Sequence, residues 1–139
     1  MTLYRTAGLP EDLVAPVMIA AFDGWVDAAS AASATAEHLS RGGELIATFD
    51  ADVLYDYRSR RPVLDIIDGT LTRLTWPSLE LHRVRAGGRD LLLLHGAEPD
   101  FRWRQLGAVE EQQVAAARAR TVRRRPSRLL GPGLSLIHI

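Results

Sequence analysis

The chain has 139 residues, 47% of them hydrophobic and 24% charged, the proportions of an ordinary globular domain with one core. It has no cysteine, which excludes disulfides, thiolate metal sites and cysteine nucleophiles, and no apolar run long enough for a membrane span. All 17 basic residues are arginine, and the zero net charge hides an asymmetry: residues 1–111 carry 11 Arg and all 17 acids, and residues 112–139 carry 6 Arg and no acid.

Residues 1–16 contain Arg5, Glu11 and Asp12 but no continuous apolar stretch, so no secretory leader is expected and the expected location is cytoplasmic. Residues 14–22 are apolar apart from Pro16 and predict a strand covered on both faces, as in a parallel sheet. Asp23-Gly24-Trp25-Val26-Asp27 then turns the chain into an alanine-rich helix over 28–40, with Asp27 as its N-cap and Gly42-Gly43 as its end. Six alanines leave this helix little bulk, so it can lie close to a sheet. Residues 44–50 predict a second strand, and the strand–helix–strand unit should be a right-handed parallel crossover. Residues 50–61 are polar and aromatic and read as a loop with one helical turn. A hairpin follows, 63–67 and 71–76, turning at Asp68-Gly69. Residues 79–85 alternate as a half-exposed strand, Gly87-Gly88 turns the chain, and 91–94 form a buried strand ending at His95-Gly96. A helix with a weak apolar stripe is expected from Pro99 to Val114. Residues 123–139 show neither period; they are expected to be a non-native or disordered tail behind a partial α/β domain over 1–122.

The chemistry-bearing residues are few. Asp23 and Asp27 flank the first strand-to-helix turn, where α/β folds place ligands, but turn and cap preferences account for both. His95 closes a strand, and beside Asp23 it would make an acid–base pair; alone it is a histidine satisfied at a strand end. No two histidines have metal-ligand spacing, so no metal is expected. There is no phosphate-binding glycine loop and no nucleophile elbow. The densest polar-aromatic segment is residues 55–62, Tyr-Asp-Tyr-Arg-Ser-Arg-Arg-Pro. Read sharply it is a nucleic-acid strip, but Asp50, Asp52, Asp56, Asp65 and Asp68 surround it, and Tyr with Arg is the composition that protein interfaces favour.

Four blocks carry a resemblance. Residues 23–29, Asp-Gly-Trp-Val-Asp-Ala-Ala, resemble the turn of the PAC2 family (proteasome assembly chaperone 2-like proteins) in its actinobacterial branch. Residues 51–62, the hairpin with Asp68-Gly69 and Thr75-Trp76-Pro77, and residues 95–103, His-Gly-Ala-Glu-Pro-Asp-Phe-Arg-Trp, are similar to three further family segments in the same order. The resemblance implies an α/β/α sandwich akin to the phosphorylase/hydrolase-like fold, incomplete here at the C-terminus, and a tendency to self-associate. Eukaryotic relatives act as chaperones of proteasome α-ring assembly, partly through a hydrophobic-Tyr-X tail; this chain ends Ile137-His138-Ile139.

The expected function is therefore a non-catalytic, protein-binding or assembly-chaperone-like module without cofactor, nucleic-acid or membrane partner. Its expected contact residues are Trp25, Tyr55, Tyr57, Arg58, Arg61 and Trp76, and self-association is expected of the full-length protein. The alternative is a hydrolase or phosphorylase-like enzyme acting on N-glycosidic bonds, with Asp23, His95 and Glu98 at strand ends.

Overall fold

The structure, a computed structural model, describes residues 3–6, 10–25, 27–102, 106–107 and 135–138. It is a mixed α/β arrangement. Strands β1 (Tyr4–Thr6), β2 (Val17–Asp23), β3 (Glu44–Phe49), β6 (Leu79–Ala86), β7 (Arg89–Ala97) and β8 (Ser135–His138) form one sheet in the order β1-β3-β6-β7-β2-β8. Strands β4 (Val63–Ile67) and β5 (Thr70–Thr75) form a separate two-stranded sheet. Helix α1 (Ala31–Ser40) and the single turn α2 (Ala51–Leu54) are the helices with described bounds.

β2 pairs in parallel with β7 on one side and β8 on the other, whereas β7–β6, β6–β3 and β3–β1 are antiparallel. The strand–helix–strand unit β2-α1-β3 therefore joins two strands that run the same way, but they are not neighbours: the β6–β7 hairpin lies between them. That insertion is long-range and leaves no local mark on the sequence. Both turns read from glycines are present, with positive φ at Asp68 and Gly69 and at Gly87 and Gly88, as a two-residue hairpin connection requires.

Alternation sorts the core. Met18, Ala20, Ala47, Phe49, Leu79, Leu81, Leu92 and Leu94 face one side and pack with Leu13, Leu54, Tyr55 and Leu106. On the other side α1 lies across β2, β7 and β6, burying Ala36 and Ser40. Only a helix this poor in bulk can approach so closely.

The helix expected to start at Ala28 is divided. Ala28–Ser30 is a 3-10 turn, Ala29 and Ser30 take left-handed φ of 55° and 56°, and α1 begins at Ala31. The Asp27 carboxylate reaches across this turn to accept from the Ala32 and Ser33 amides, at 2.8 and 3.1 Å, and from the Ser33 hydroxyl. It thus caps α1 from further upstream than the usual N-cap position. The Ser33 hydroxyl foremost, with the two amides, holds its pKa below the ordinary carboxylate value.

A buried charge cluster ties the start of β2 to the β6–β7 hairpin. Asp90, 0% exposed, accepts from the Val14 amide at 2.6 Å, from Arg83 Nε at 3.0 Å and from Arg85 Nε at 3.3 Å. Asp12 adds a second carboxylate to both arginines.

The tail differs in part from expectation. Ser135–His138 pairs in parallel with Val17–Ala20 of β2, so a strand stands where no strand period was readable. Four residues are too few to show one, and backbone pairing with an open strand edge needs no side-chain pattern. Residues 123–134 lie outside the described residues. So does most of the helix expected over 99–114, of which Leu106 and Gly107 are helical while residues 99–102 are not.

Candidate functional site

The parallel pair β2–β7 ends in register, Asp23 opposite Ala97, and the Glu98 amide donates to the Asp23 carbonyl at 2.9 Å. Into this strand-end edge the segment 54–61 is tied at several points. The Tyr55 hydroxyl donates to the Ala97 carbonyl at 2.9 Å, and Asp100 and Phe101 donate their amides to the Leu54 carbonyl. Asp100 accepts from the Asp56 amide at 2.9 Å and the Ser59 hydroxyl at 3.3 Å.

Arg60 is the hub. Its Nη1 donates to the Asp23 carbonyl at 3.2 Å, Nη2 lies 3.6 Å from Glu98 Oε2, and Nε lies 3.6 Å from Asp100 Oδ1. Glu98 Oε2 also accepts from the Trp25 amide at 3.4 Å. Gly24 is required here, because a Cβ at that position would stand 2.0 Å from Glu98 Oε2 and 2.8 Å from Glu98 Cβ. The turn, the 54–61 segment and the 97–101 segment are thus one hydrogen-bonded unit.

The three residues of the enzyme alternative do not meet as an acid–base set. Asp23 and Glu98 are joined through backbone and through Arg60, which occupies the Glu98 carboxylate. His95 lies further back along β7, opposite Ala21, under the face that α1 covers. Its ring stacks on His82 at 5.1 Å, and its carboxylate neighbours are Glu80 and Glu37. Burial first, then His82, pushes its pKa down. Its Nε2 is buried without a hydrogen-bond partner among the described residues. Glu80 Oε2 sits 2.9 Å from His82 Nε2. Among the described residues there is no group of three or more His, Cys, Asp or Glu able to hold a metal ion.

The expected contact residues divide. Trp25 is 99% exposed at the turn. Tyr57 and Trp76 pack edge to face at 5.3 Å at the base of the β4–β5 hairpin, with the Tyr57 hydroxyl donating to Asp52 Oδ1 at 2.8 Å. Arg58 and Arg61 are exposed and make no ion pair among the described residues. Tyr55 differs from the surface position expected of it: it is 3% exposed and belongs to the core, and burial pushes its hydroxyl pKa far up. A tyrosine whose ring fills a core and whose hydroxyl reaches a strand-end carbonyl is a structural bolt.

Sequence reasoning missed two features. Arg60 was not separable from Arg58 and Arg61, because an irregular loop has no period to mark which arginine turns inward. The β4–β5 hairpin read as an ordinary strand pair, yet every one of its residues is exposed, with Val63, Ile66 and Ile67 all above 60%. The signal was its apolar content, Val-Leu-Asp-Ile-Ile then Leu-Thr-Arg-Leu, in a segment with no third strand of its own.

Fold and edge together define a mixed α/β domain whose strand-end turn is sealed by its own charges and whose apolar arm is exposed among the described residues. The PAC2 family model matches residues 21–124, and the chain belongs to the PAC2 family. A PAC2 family protein from Streptomyces avermitilis is similar at 42% identity and a TM-score of 0.60, over 73% of this chain and 45% of that one. A protein of unknown function from Corynebacterium glutamicum is similar at 33% identity and TM-score 0.68, over 82% and 45%. A Mycobacterium tuberculosis proteasome-assembly chaperone homologue is similar at 38% identity and TM-score 0.55, over 69% and 44%. The chain thus spans less than half the length of these solved relatives. No curated protein matches it. Three of the four family blocks meet at the strand-end edge, where Arg60 contacts Asp23, Glu98 and Asp100 and Tyr55 bonds the Ala97 carbonyl, and the hairpin block follows directly in the chain.

Proposed function

We propose that this chain works in the cytoplasm as a non-catalytic, protein-binding module of assembly-chaperone type, making contact through the hairpin and the aromatic residues at its base. One observation carries the reading: among the described residues, an arm of exposed Val, Leu and Ile side chains, 46–63% accessible, stands beside the Tyr57–Trp76 pair. Contiguous apolar surface of this kind marks interaction sites. The name of the Mycobacterium tuberculosis relative agrees with it. Trp25, Arg58 and Arg61 supply the aromatic and guanidinium anchors typical of interface hot spots, and Arg60 holds the Trp25 turn beside the base of the arm.

The experiment is site-specific photo-crosslinking in a native host, from Leu74 on the arm and from Arg89 on the β6–β7 turn as control. A discrete protein adduct from Leu74 and none from Arg89 is expected. No adduct from any arm position would overturn the reading. Arg60 meets Asp23 at its backbone carbonyl and His95 lies under α1, so Asp23→Asn and His95→Gln are expected to leave the crosslink unchanged.

A further inference from the structure

Away from the strand-end edge, titratable side chains gather on the face of the sheet that α1 covers. Glu80 of β6 stands directly opposite His95 of β7, and His82 lies two residues further along β6 on the same face. The His82 and His95 rings stack at 5.1 Å with their planes 30° apart. A carboxylate only accepts, so Glu80 Oε2, 2.9 Å from His82 Nε2, places a proton on that nitrogen. His82 Nδ1 and His95 Nε2 are buried and meet no partner among the described residues. A neutral pair of rings tolerates this, because each neutral imidazole has one nitrogen that is a bare lone pair. A second proton on either ring puts an N–H where no acceptor stands, and on His95 it also sets a charge against the neighbouring imidazole.

The charged groups around the pair are few. β6 supplies Glu80, already engaged by His82. α1 supplies Glu37, with His38 next to it, both exposed. β2 supplies none, since Ala21 stands opposite His95. On β3, Leu45 faces His82 and Thr48 faces Glu80, while Glu44 turns to Arg83. Burial and His82 outweigh the pull of Glu80 and Glu37 on His95, and the solvated Glu37 is screened.

α1 is the part of this cluster free to give way. β6 and β7 are joined by continuous antiparallel pairing from Leu79–Gly96 to Ala86–Arg89. α1 buries only Ala36 and Ser40, and among the described residues no hydrogen bond or ion pair joins residues 31–40 to a strand. Its N-terminal cap, Asp27, lies outside the sheet and can move with it.

We infer that the His82–His95 pair is a proton-operated latch on α1: protonation of His95 lifts α1 from β2, β6 and β7 as a local opening, while the sheet stays paired. Such an opening needs only the low-stability element to move. It does not depend on the protein-contact reading. With α1 lifted, His95 meets water and titrates near its ordinary value of ~6.5; with α1 down it titrates lower. The open form therefore binds the extra proton. The closed form is favoured above that pH, and opening grows as pH falls, by up to about tenfold per pH unit for one proton.

The test is amide hydrogen exchange of the full chain between about pH 7.5 and 5.5, above the ordinary carboxylate range, corrected for the intrinsic pH dependence of exchange. Below about pH 6.5 the α1 amides are expected to open more often, by up to about tenfold per unit, while β6 and β7 keep their protection. His95→Gln is expected to flatten the rise. Glu37→Gln, at an exposed position that leaves the fold intact, is expected to keep it. Protection of α1 that stays flat, or that falls only in step with β6 and β7, would overturn the latch. Protection that increases as pH falls would overturn it too, since Glu37 would then be clamping the protonated ring. A rise lost in Glu37→Gln, or kept in a folded His95→Gln, would show that the histidine pair does not operate it.

Discussion

Arg60, in contact with Asp23, Glu98 and Asp100, is the residue on which the geometry of the strand-end edge depends. Its ion pairs are partly solvated and worth little each, so Arg60→Ala is expected to cost about 1–2 kcal/mol in chemical denaturation. The larger effect is local: the Trp25 turn loses its tether and the Trp25 emission changes. Asp90 is the more severe site. Removing it strands the Val14 amide and one side of Arg83 in a buried place, and Asp90→Ala is expected to cost roughly 1–3 kcal/mol. Burial works to raise the Asp90 pKa, but hydrogen bonds from Arg83, Val14 and Arg85 overcome it and the net displacement is downward. A depressed carboxylate contributes stability that is present above its unfolded value, ~3.9, and is lost as pH falls through the folded value. The acid limb of stability below about pH 4 should therefore flatten in Asp90→Asn. His95 acts in another window. Its folded pKa lies below the unfolded value of ~6.5, so the unfolded chain binds the extra proton and stability declines as pH falls from there. His95→Gln should remove that slope below about pH 6.5 in denaturant titrations; an unchanged slope would mean that the histidine is not buried as described. None of this was readable in the sequence, where Asp90 sits in an exposed-looking Gly-Gly-Arg-Asp turn and His95 ends a strand like many others.

At the scale of elements, what is local was legible and what is long-range was not. The Asp68-Gly69 and Gly87-Gly88 turns, the strand bodies and the Asp27 cap follow from residue chemistry that acts within a few positions. The break at Ala29 and Ser30 does not, because nothing in a run of alanines announces two left-handed residues. The insertion of β6 and β7 between β2 and β3, and the burial of Tyr55, depend on partners far along the chain. Gly96 illustrates the cost of such packing. It has φ of +142°, and a Cβ there would stand 2.0 Å from the Ser78 carbonyl oxygen, a backbone atom that cannot swing away. Gly96→Ala is expected to destabilise by about 3 kcal/mol or more, whereas Gly88→Ala, in open space at φ of +75°, should cost only ~1–2 kcal/mol. Equal losses at the two positions in urea titrations would contradict the described register of β6 and β7.

Taken together, the described residues form a packed sheet with an apolar arm beside it. The main sheet buries Leu79, Leu81, Leu92 and Leu94 on one face and Leu93 on the other, and the arm's residues are all exposed. Each fully buried Leu or Ile is worth roughly 1.5–3 kcal/mol, so leaving the arm uncovered forgoes a large contribution that a partner can recover. The four family blocks, read in the sequence as separate marks, are one construction in the structure: three seal the strand-end edge and the fourth projects from it. In the sealed edge Glu98 and Asp100 are paired with Arg60, and the projecting block is where the proposed contact lies. Trp25, at 99% exposure, is expected to tolerate Trp25→Ala within about 0.5 kcal/mol while partner binding weakens. The most direct measurement is amide hydrogen exchange of the Val63–Ile67 and Thr70–Thr75 strands in the native assembly against the isolated chain at high dilution. The account predicts protection in the assembly approaching that of β6 and β7, lost on dilution while the main sheet keeps its own. Arm amides that exchange freely in both states would contradict it.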